Sequence, residues 1–257
     1  MIKLSIIIIT KNAAAHIDTC LNSVAWADEI IILDSGSTDN TLSLCRAFTD
    51  KIFINDNWLG FGRQKNRALA KASGEWILSI DADECVTPVL QQQIKDAIAN
   101  ATTETAFRMP RRSRYCGRWI KHSGWYPDYV IRLFRRDAAR FSDDIVHEKV
   151  EILQGKLATL NTPLLHYSFD SLEEVLDKVN RYSSANALKN PTKKSSLKKA
   201  IFHGLWAFIR TYFLRLGFLD GREGFMLAVS NAEGTYYRYL KLMYLQENNE
   251  QHNNNHI

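Results

Sequence analysis

Cysteine is scarce in this 257-residue chain, and the four present, Cys20, Cys45, Cys85 and Cys116, form no CxxC pair and no regular spacing. That pattern leaves no zinc cluster and no disulfide framework, and a reducing cytosolic setting fits it. Long uninterrupted hydrophobic runs are missing too. The opening MIKLSIIIITKN holds an apolar run too short for the core and cleavage site of a signal peptide, and reads as a buried first strand. The twenty residues from Ala200 to Leu219 are mostly apolar, but His203, Arg210 and Arg215 interrupt them, which argues against a spanning helix. A large excess of one charge sign is also lacking: 33 Lys and Arg stand against 28 Asp and Glu. Placement matters more than the total, because the cations thicken from Arg108 to Arg140 and from Lys189 to Arg222, giving two local basic surfaces.

What is there first is an alternation. KLSIIIIT (Lys3 to Thr10), EIIILDSG (Glu29 to Gly36), KIFIND (Lys51 to Asp56) and EWILSIDADE (Glu75 to Glu84) are short β-branched or aromatic runs. Segments around 13–24, 38–48 and 63–72 have helical periodicity. Strand and helix in turn at this spacing predict an α/β fold, a mostly parallel, Rossmann-like sheet with helices on both faces. The near-continuous apolar SIIII agrees, since a central parallel strand is covered on both sides. Ligands of such sheets lie beyond the carboxyl ends of the strands, which directs attention to Thr10 to Asn12, Asp34 to Asp39, Asp56 to Trp58 and Asp81 to Glu84.

From about Thr105 the pattern turns irregular and aromatic. Strands are expected near Thr105 to Pro110 and Tyr129 to Arg135, joined by a long loop suited to an acceptor site or lid. KLATLNTPLLHYSF reads as a further strand region, followed by a helix capped at Asp170 or Ser171. Pro191 breaks the chain. KKSSLKKAIFHGLWAFIRTYFLRLGF then reads as a basic, aromatic, amphipathic helix on an anionic membrane surface, against the plainer reading of a helix packed on the sheet domain. The end, QENNEQHNNNHI, is low in complexity and expected to be disordered.

The chemistry is read at the strand ends. Asp81 and Asp83 lie two apart, so an extended chain points them the same way. Two carboxylates so placed suit a hard divalent cation that also carries phosphate oxygens, Mg²⁺ or Mn²⁺. Taken alone, such a pair is a weak signal, since most are solvated loop residues or helix caps. A second strand ends in LDSGSTDNT, where Asp34 can accept a hydrogen bond from a nucleobase N–H, Gly36 permits a tight turn and Asp39 reads as a cap.

In this order, SIIIITKN, ILDSGSTDNT and GRQKNRALAKASGEWILSIDADE resemble the nucleotide-sugar half of glycosyltransferase family 2, inverting enzymes of the GT-A fold. GWYPDYVIRLFRRDAARFSDDIVHEKVE and YFLRLGFLDGREGFMLAVSNAEGTYYRYLKL are similar to the branch that includes the lipopolysaccharide inner-core β-1,4-glucosyltransferases of Gram-negative bacteria. The resemblance runs to about Leu245. It implies that Asp34 contacts the uracil of a UDP-sugar, that the loop from Thr10 to Asn12 lies along the base, and that Lys65 is a basic residue near the nucleotide. It further implies that Asp81 faces the ribose or the metal and that Asp83 is the principal metal ligand. The family's downstream Glu-Asp pair is absent; VHE stands in its place. Glu148 is therefore the first choice for the base that deprotonates the acceptor, Asp128 the second, and His147 a metal or phosphate contact or a structural histidine.

Trp125 and Tyr126 read as sugar-stacking or core aromatics, and Arg112 and Arg114 as phosphate-binding or solvated cations. The expected organisation is a GT-A domain over 1–169, with a nucleotide-sugar half (1–104) and an acceptor half (105–169). A helical membrane-associating region (170–247) and a disordered tail (248–257) complete it. The expected activity moves glucose from UDP-glucose to an inner-core heptose, at the cytoplasmic face of the inner membrane, held peripherally. Rivals are a family 2 enzyme of another donor or acceptor, a nucleotidyltransferase and a membrane scaffold. TKNAAAH lacks the glycine-rich phosphate loop of the nucleotidyltransferase, and no nucleic-acid-binding module accompanies the basic segments.

Overall fold

The computed structural model describes residues 3–143, 148–189 and 193–254, with side chains in the last helix described to residue 248. The chain forms two compact units, one of residues 1–112 and 128–167, the other of 113–127 and 168–257.

In the first unit, β1 (Leu4–Thr10) is the strand SIIII announces, and it is buried because both its edges and both its faces are covered. β2 (Glu29–Asp34) and β4 (Trp76–Ser79) pair with it in parallel, and β3 (Ile52–Ile54) extends the sheet beyond β2. Successive isoleucines of β1 face opposite ways. Ile6 and Ile8 pack with α1 (Ile17–Val24) and α4 (Pro88–Asn100) on one face. Ile7 packs with Ala68 of α3 (Phe61–Leu69) on the other. A short α2 (Thr41–Cys45) follows β2. The helix α4 starts where Thr87 accepts a hydrogen bond from Leu90 N and Pro88 takes the first turn, where a missing N–H costs nothing.

The parallel order holds across β3-β2-β1-β4, and beyond β4 the neighbours run antiparallel. There β8 (Asp128–Arg135) pairs with β4 and with β6 (Glu104–Tyr115), strands joined without a helical crossover. Around them lie β5 (Glu84–Cys85), β9 (Ala139–Phe141), β10 (Val150–Ile152), β11 (Lys156–Thr159) and β12 (Leu164–Phe169). The register aligns Thr10 with Asp34 and Asp34 with Ile54, so the strand-end residues singled out in the sequence share one edge.

The second unit is mostly helical. The stretch expected to be a long loop after β6 belongs to it, with β7 (Arg118–Trp119) folded back on the end of β6. Buried Asp220 holds that stretch by accepting from Lys121 N, His122 N and Ser123 Oγ. In α5 (Leu172–Lys189), Ser171 accepts from Glu174 N while the Glu174 carboxylate accepts from Asp170 N, a reciprocal cap. Next come α6 (Leu197–Ile209), a π-helical turn (Arg210–Leu214), a 3-10 turn (Gly217–Asp220) and α7 (Gly221–Asn254). Tyr115, Ile120, Phe169, Val175 and Leu227 form the core of this unit.

Candidate active site

At the tip of β2, Asp34 is fully buried and organises the turn after it. Its Oδ2 accepts from Gly36 N (2.9 Å) and Ser37 N (2.8 Å), and its Oδ1 accepts from Thr10 Oγ1 (2.9 Å) and Ser37 Oγ (2.5 Å). Gly36 takes a φ of +85°, open to glycine at no steric cost. Asn12, itself at φ +50°, completes the cradle: its N–H donates to Ser37 Oγ and its Oδ1 accepts from Thr38 N. The two loops are thus stitched together at the carboxyl edge, where an α/β sheet takes its ligand. Asp39 accepts from Thr41 N and Oγ1 and from Ala14 N, which hold its carboxyl below the usual range, as suits a residue at a helix start.

The strand-end carboxylates meet a row of alternating charge. Lys65, on the buried side of α3, reaches Asp81 Oδ1 at 2.8 Å and Glu148 Oε1 at 2.7 Å. The other oxygen of Asp81 accepts from Arg132 of β8 at 2.5 Å. The same Arg132 Nη2 donates to Glu84 Oε1 at 2.6 Å. Arg111 of β6 stands 3.5 Å from Glu84 and binds Asp128, its register partner, through Nε (3.0 Å) and Nη2 (2.7 Å). Glu148, Lys65, Asp81, Arg132, Glu84, Arg111 and Asp128 therefore follow one another in unbroken contact, with the two expected bases at its ends. Burial would push Asp81 up, but Arg132 and Lys65 outweigh it and hold the carboxyl well below the ordinary range. Burial alone would lower Arg132, and the carboxylates of Asp81 and Glu84 raise it instead.

Glycine brings Glu148 to this row. A Cβ on Gly62 would lie 1.8 Å from the Ser142 carbonyl oxygen and 3.3 Å from Glu148 Cβ, so only glycine lets α3 approach so closely. Asn66, on the next turn, clamps the same region by donating to Phe141 O and accepting from Phe141 N.

Asp83 turns away from the row. Its Oδ2 is 3.3 Å from His166 Nε2, and its carbonyl accepts from Tyr167 N, because β5 pairs Glu84 with His166. Asp83 and His166, an oxygen and a nitrogen donor 3.3 Å apart, would supply two of the ligands a divalent cation takes. Among the described residues no third His, Cys, Asp or Glu joins them in a group that could hold a metal. Asp81, expected alongside Asp83, has both oxygens engaged by Lys65 and Arg132. His147 lies outside the described residues.

Of the expected acceptor residues, Trp125 packs edge-on to Tyr115 at 5.7 Å and beside Phe169, within the aromatic core of the second unit. Arg114, in the same unit, lies 4.0 Å from Asp170, and Tyr126 is half-buried. Arg112, in the first unit, has a buried Nε with no hydrogen-bond partner among the described residues. Arg132 and His166 were not singled out by the sequence, and Glu84 only as the end of the stretch from Asp81. The one hint was VIRLF, an arginine inside an otherwise apolar strand, which in a buried position demands a carboxylate partner.

The description "Glycosyl transferase family 2" matches residues 5–151 of the chain. The chain belongs to that family. This family 2 glycosyltransferase has the α/β architecture expected of the GT-A type, with a helical C-terminal region beyond it. It is 32% identical over 260 residues to an uncharacterized glycosyltransferase of Rickettsia typhi, covering 96% of this chain and 88% of that one. It is also 32% identical over 250 residues to the lipopolysaccharide core biosynthesis glycosyltransferase LpsC of Rhizobium meliloti, covering 92% and 89%. The crystal structure of S. aureus TarS 1-349 in complex with UDP-GlcNAc is similar at a TM-score of 0.48 and 15% identity, over 97% of this chain and 92% of that one.

Proposed function

We propose that this family 2 glycosyltransferase moves glucose from UDP-glucose to a heptose of the lipopolysaccharide inner core, with inversion, at the cytoplasmic face of the inner membrane. The observation that carries the reading is Lys65, whose ammonium joins the strand-end carboxylate Asp81 to Glu148. It links the nucleotide edge of the sheet to a carboxylate able to serve as base. The likeness to LpsC along most of both chains supports the lipopolysaccharide core as the acceptor class.

In this reading the loops of Thr10 to Asn12 and Asp34 to Thr38 seat the nucleoside, and Asp83 with His166 would hold Mg²⁺ or Mn²⁺. Such a cation, when bound, neutralises charge developing on a departing diphosphate. The acceptor oxygen forms its bond to the anomeric carbon as the bond to the diphosphate oxygen breaks, and UDP leaves with that electron pair. Glu148 takes the hydroxyl proton. Lys65 holds the Glu148 carboxylate aimed, and its charge faces the growing negative charge of the leaving group. Of the expected acceptor residues, Arg112, in the same unit as Glu148, remains a proposed acceptor contact.

The test is UDP release by the purified protein with Mg²⁺ or Mn²⁺, across UDP-glucose, UDP-galactose and UDP-N-acetylglucosamine, with and without heptose-terminated inner-core lipopolysaccharide. Release that requires both UDP-glucose and the acceptor, with one added hexose by mass, is the expected result. Turnover with another sugar only, or on another acceptor only, overturns the specific assignment and leaves the family.

A further inference from the structure

α6 is packed inside out. Its small residues Ala200, Gly204 and Ala207 are buried, and its large apolar residues Leu197, Ile201, Phe202, Leu205, Trp206 and Ile209 are exposed. Gly204 explains how. A Cβ there would sit 3.3 Å from Tyr236 Cβ of α7, so the small-residue face lets the two helices approach closely and leaves these six side chains outward, while Phe208 and His203 pack on neighbouring rings. The exposed surface continues through Phe213 and Leu214 of the π-helical turn and through Leu216, Phe218 and Leu219 beside the 3-10 turn, reaching Phe225 of α7. Apolar side chains are exposed singly on most proteins; a contiguous run of this length marks a surface that is covered in use.

The charge around it says by what. Between residues 193 and 229, Lys193, Lys194, Lys198, Lys199, Arg210, Arg215 and Arg222 are all exposed. The only acids in that span, Asp220 and Glu223, are buried, and both are engaged: Asp220 by backbone N–H groups and Glu223 by Arg222. An apolar face whose own segment exposes cations and no acid complements an apolar layer under anionic headgroups, whereas two copies of it would set cation against cation. No helix among the described residues is long and apolar enough to cross a membrane.

We infer that α6, the two turns after it and the start of α7 form one composite face that lies in the surface of an anionic phospholipid bilayer. Phe202, Leu205, Trp206, Phe213 and Leu214 enter the acyl boundary, and the lysines and arginines meet the phosphates. This deepens the peripheral attachment proposed above but does not depend on which sugar is moved, since lipid binding and UDP binding are read separately.

The experiment floats the full chain with vesicles of phosphatidylcholine and phosphatidylglycerol in equal parts, and with phosphatidylcholine alone. Co-flotation with the anionic vesicles only, weakened by high salt, is expected. The double variant F202S/L205S changes residues that are 66% and 61% exposed, so it should keep its Tm and UDP affinity while losing at least tenfold in vesicle affinity. The triple variant K198E/K199E/R210E should abolish the preference for anionic lipid. Failure of the parent chain to float, or equal flotation of parent and F202S/L205S, overturns the inference. So does a lipid-free dimer that F202S/L205S dissolves, which would assign the face to a second copy of the chain.

Discussion

Replacing Arg132 by methionine tests whether the row of alternating charge is a working unit of the fold. The Arg132 side chain is 8% exposed and its guanidinium contacts Asp81 at 2.5 Å and Glu84 at 2.6 Å, and the Glu84 side chain is wholly buried. Methionine fills a similar volume but leaves Glu84 with Arg111 at 3.5 Å as its remaining cation, beside the hydrogen bond it accepts from Asp81 N. Removing one partner of a buried pair costs about 3–5 kcal/mol, because the remaining charge keeps its desolvation penalty. At roughly 2–4 °C per kcal/mol for a chain of this size, the loss lowers Tm by about 6–20 °C. The double variant R132M/E84Q removes the stranded charge as well. Asp81 keeps Lys65, so the double variant should recover most of the loss, to within about 2 kcal/mol of the parent. Thermal and urea unfolding of the parent, both singles and the double close the cycle. A drop of less than about 1 kcal/mol in R132M, or a double variant as weak as the sum of the singles, would refute buried-charge pairing as what holds this site together.

Glu148→Gln should abolish transfer while leaving UDP-glucose affinity within about threefold of the parent, and Asp128→Asn should retain turnover; isothermal titration and acceptor-dependent UDP release separate these, and the reverse pattern would exchange the two roles. Buried Glu29 provides a pH test. Burial pushes its carboxyl up, but hydrogen bonds from Lys51, Ser5 and Ser73 prevail and bring its pKa down to about 2 from an ordinary 4.5. A depressed folded pKa gives stability that is present in full above about 4.5 and lost as pH falls from there toward 2. Glu29→Gln should therefore be less stable near neutrality and flatter in acid; an acid limb of unchanged steepness counts against this account.

What the sequence made legible was local. β1 to β4 could be read because buried parallel strands are written as continuous β-branched runs, and Asp34, Asp81 and Asp83 stood out because they end such runs. The helix α4 was also written locally, in Thr87, Pro88 and the spaced Leu90, Ile94 and Ile98, although the reading passed over it. Arg132 and His166, and the role of Glu84, were hidden for another reason. Glu84 meets Arg132 across 48 residues, and His166 meets Asp83 only through the two-residue pairing of β5 with β12. Such contacts follow from strand order, which no periodicity encodes. Trp125 shows the converse: an aromatic in a polar stretch invites a ligand role, yet its ring is spoken for by Tyr115 and Phe169.

The charge balance of the row bears on how the donor enters. Glu148, Asp81, Glu84, Asp128 and the adjacent Asp83 supply five carboxylates, against the three cations Lys65, Arg132 and Arg111. A diphosphate arriving alone brings two more negative charges to a site that already leans negative, and like charges brought together in a partly desolvated place cost several kcal/mol. A diphosphate arriving with a divalent cation adds no net charge. If Asp83 and His166 receive that cation, chelation with EDTA should weaken UDP binding at least tenfold, about 1.4 kcal/mol or more, and Mn²⁺ should restore it. Asp83→Ala should give the same loss with or without chelator, at unchanged Tm. Equal UDP affinity with and without EDTA in the parent chain would mean that Lys65 and the arginines suffice for the diphosphate and that the pairing of Asp83 with His166 serves the fold.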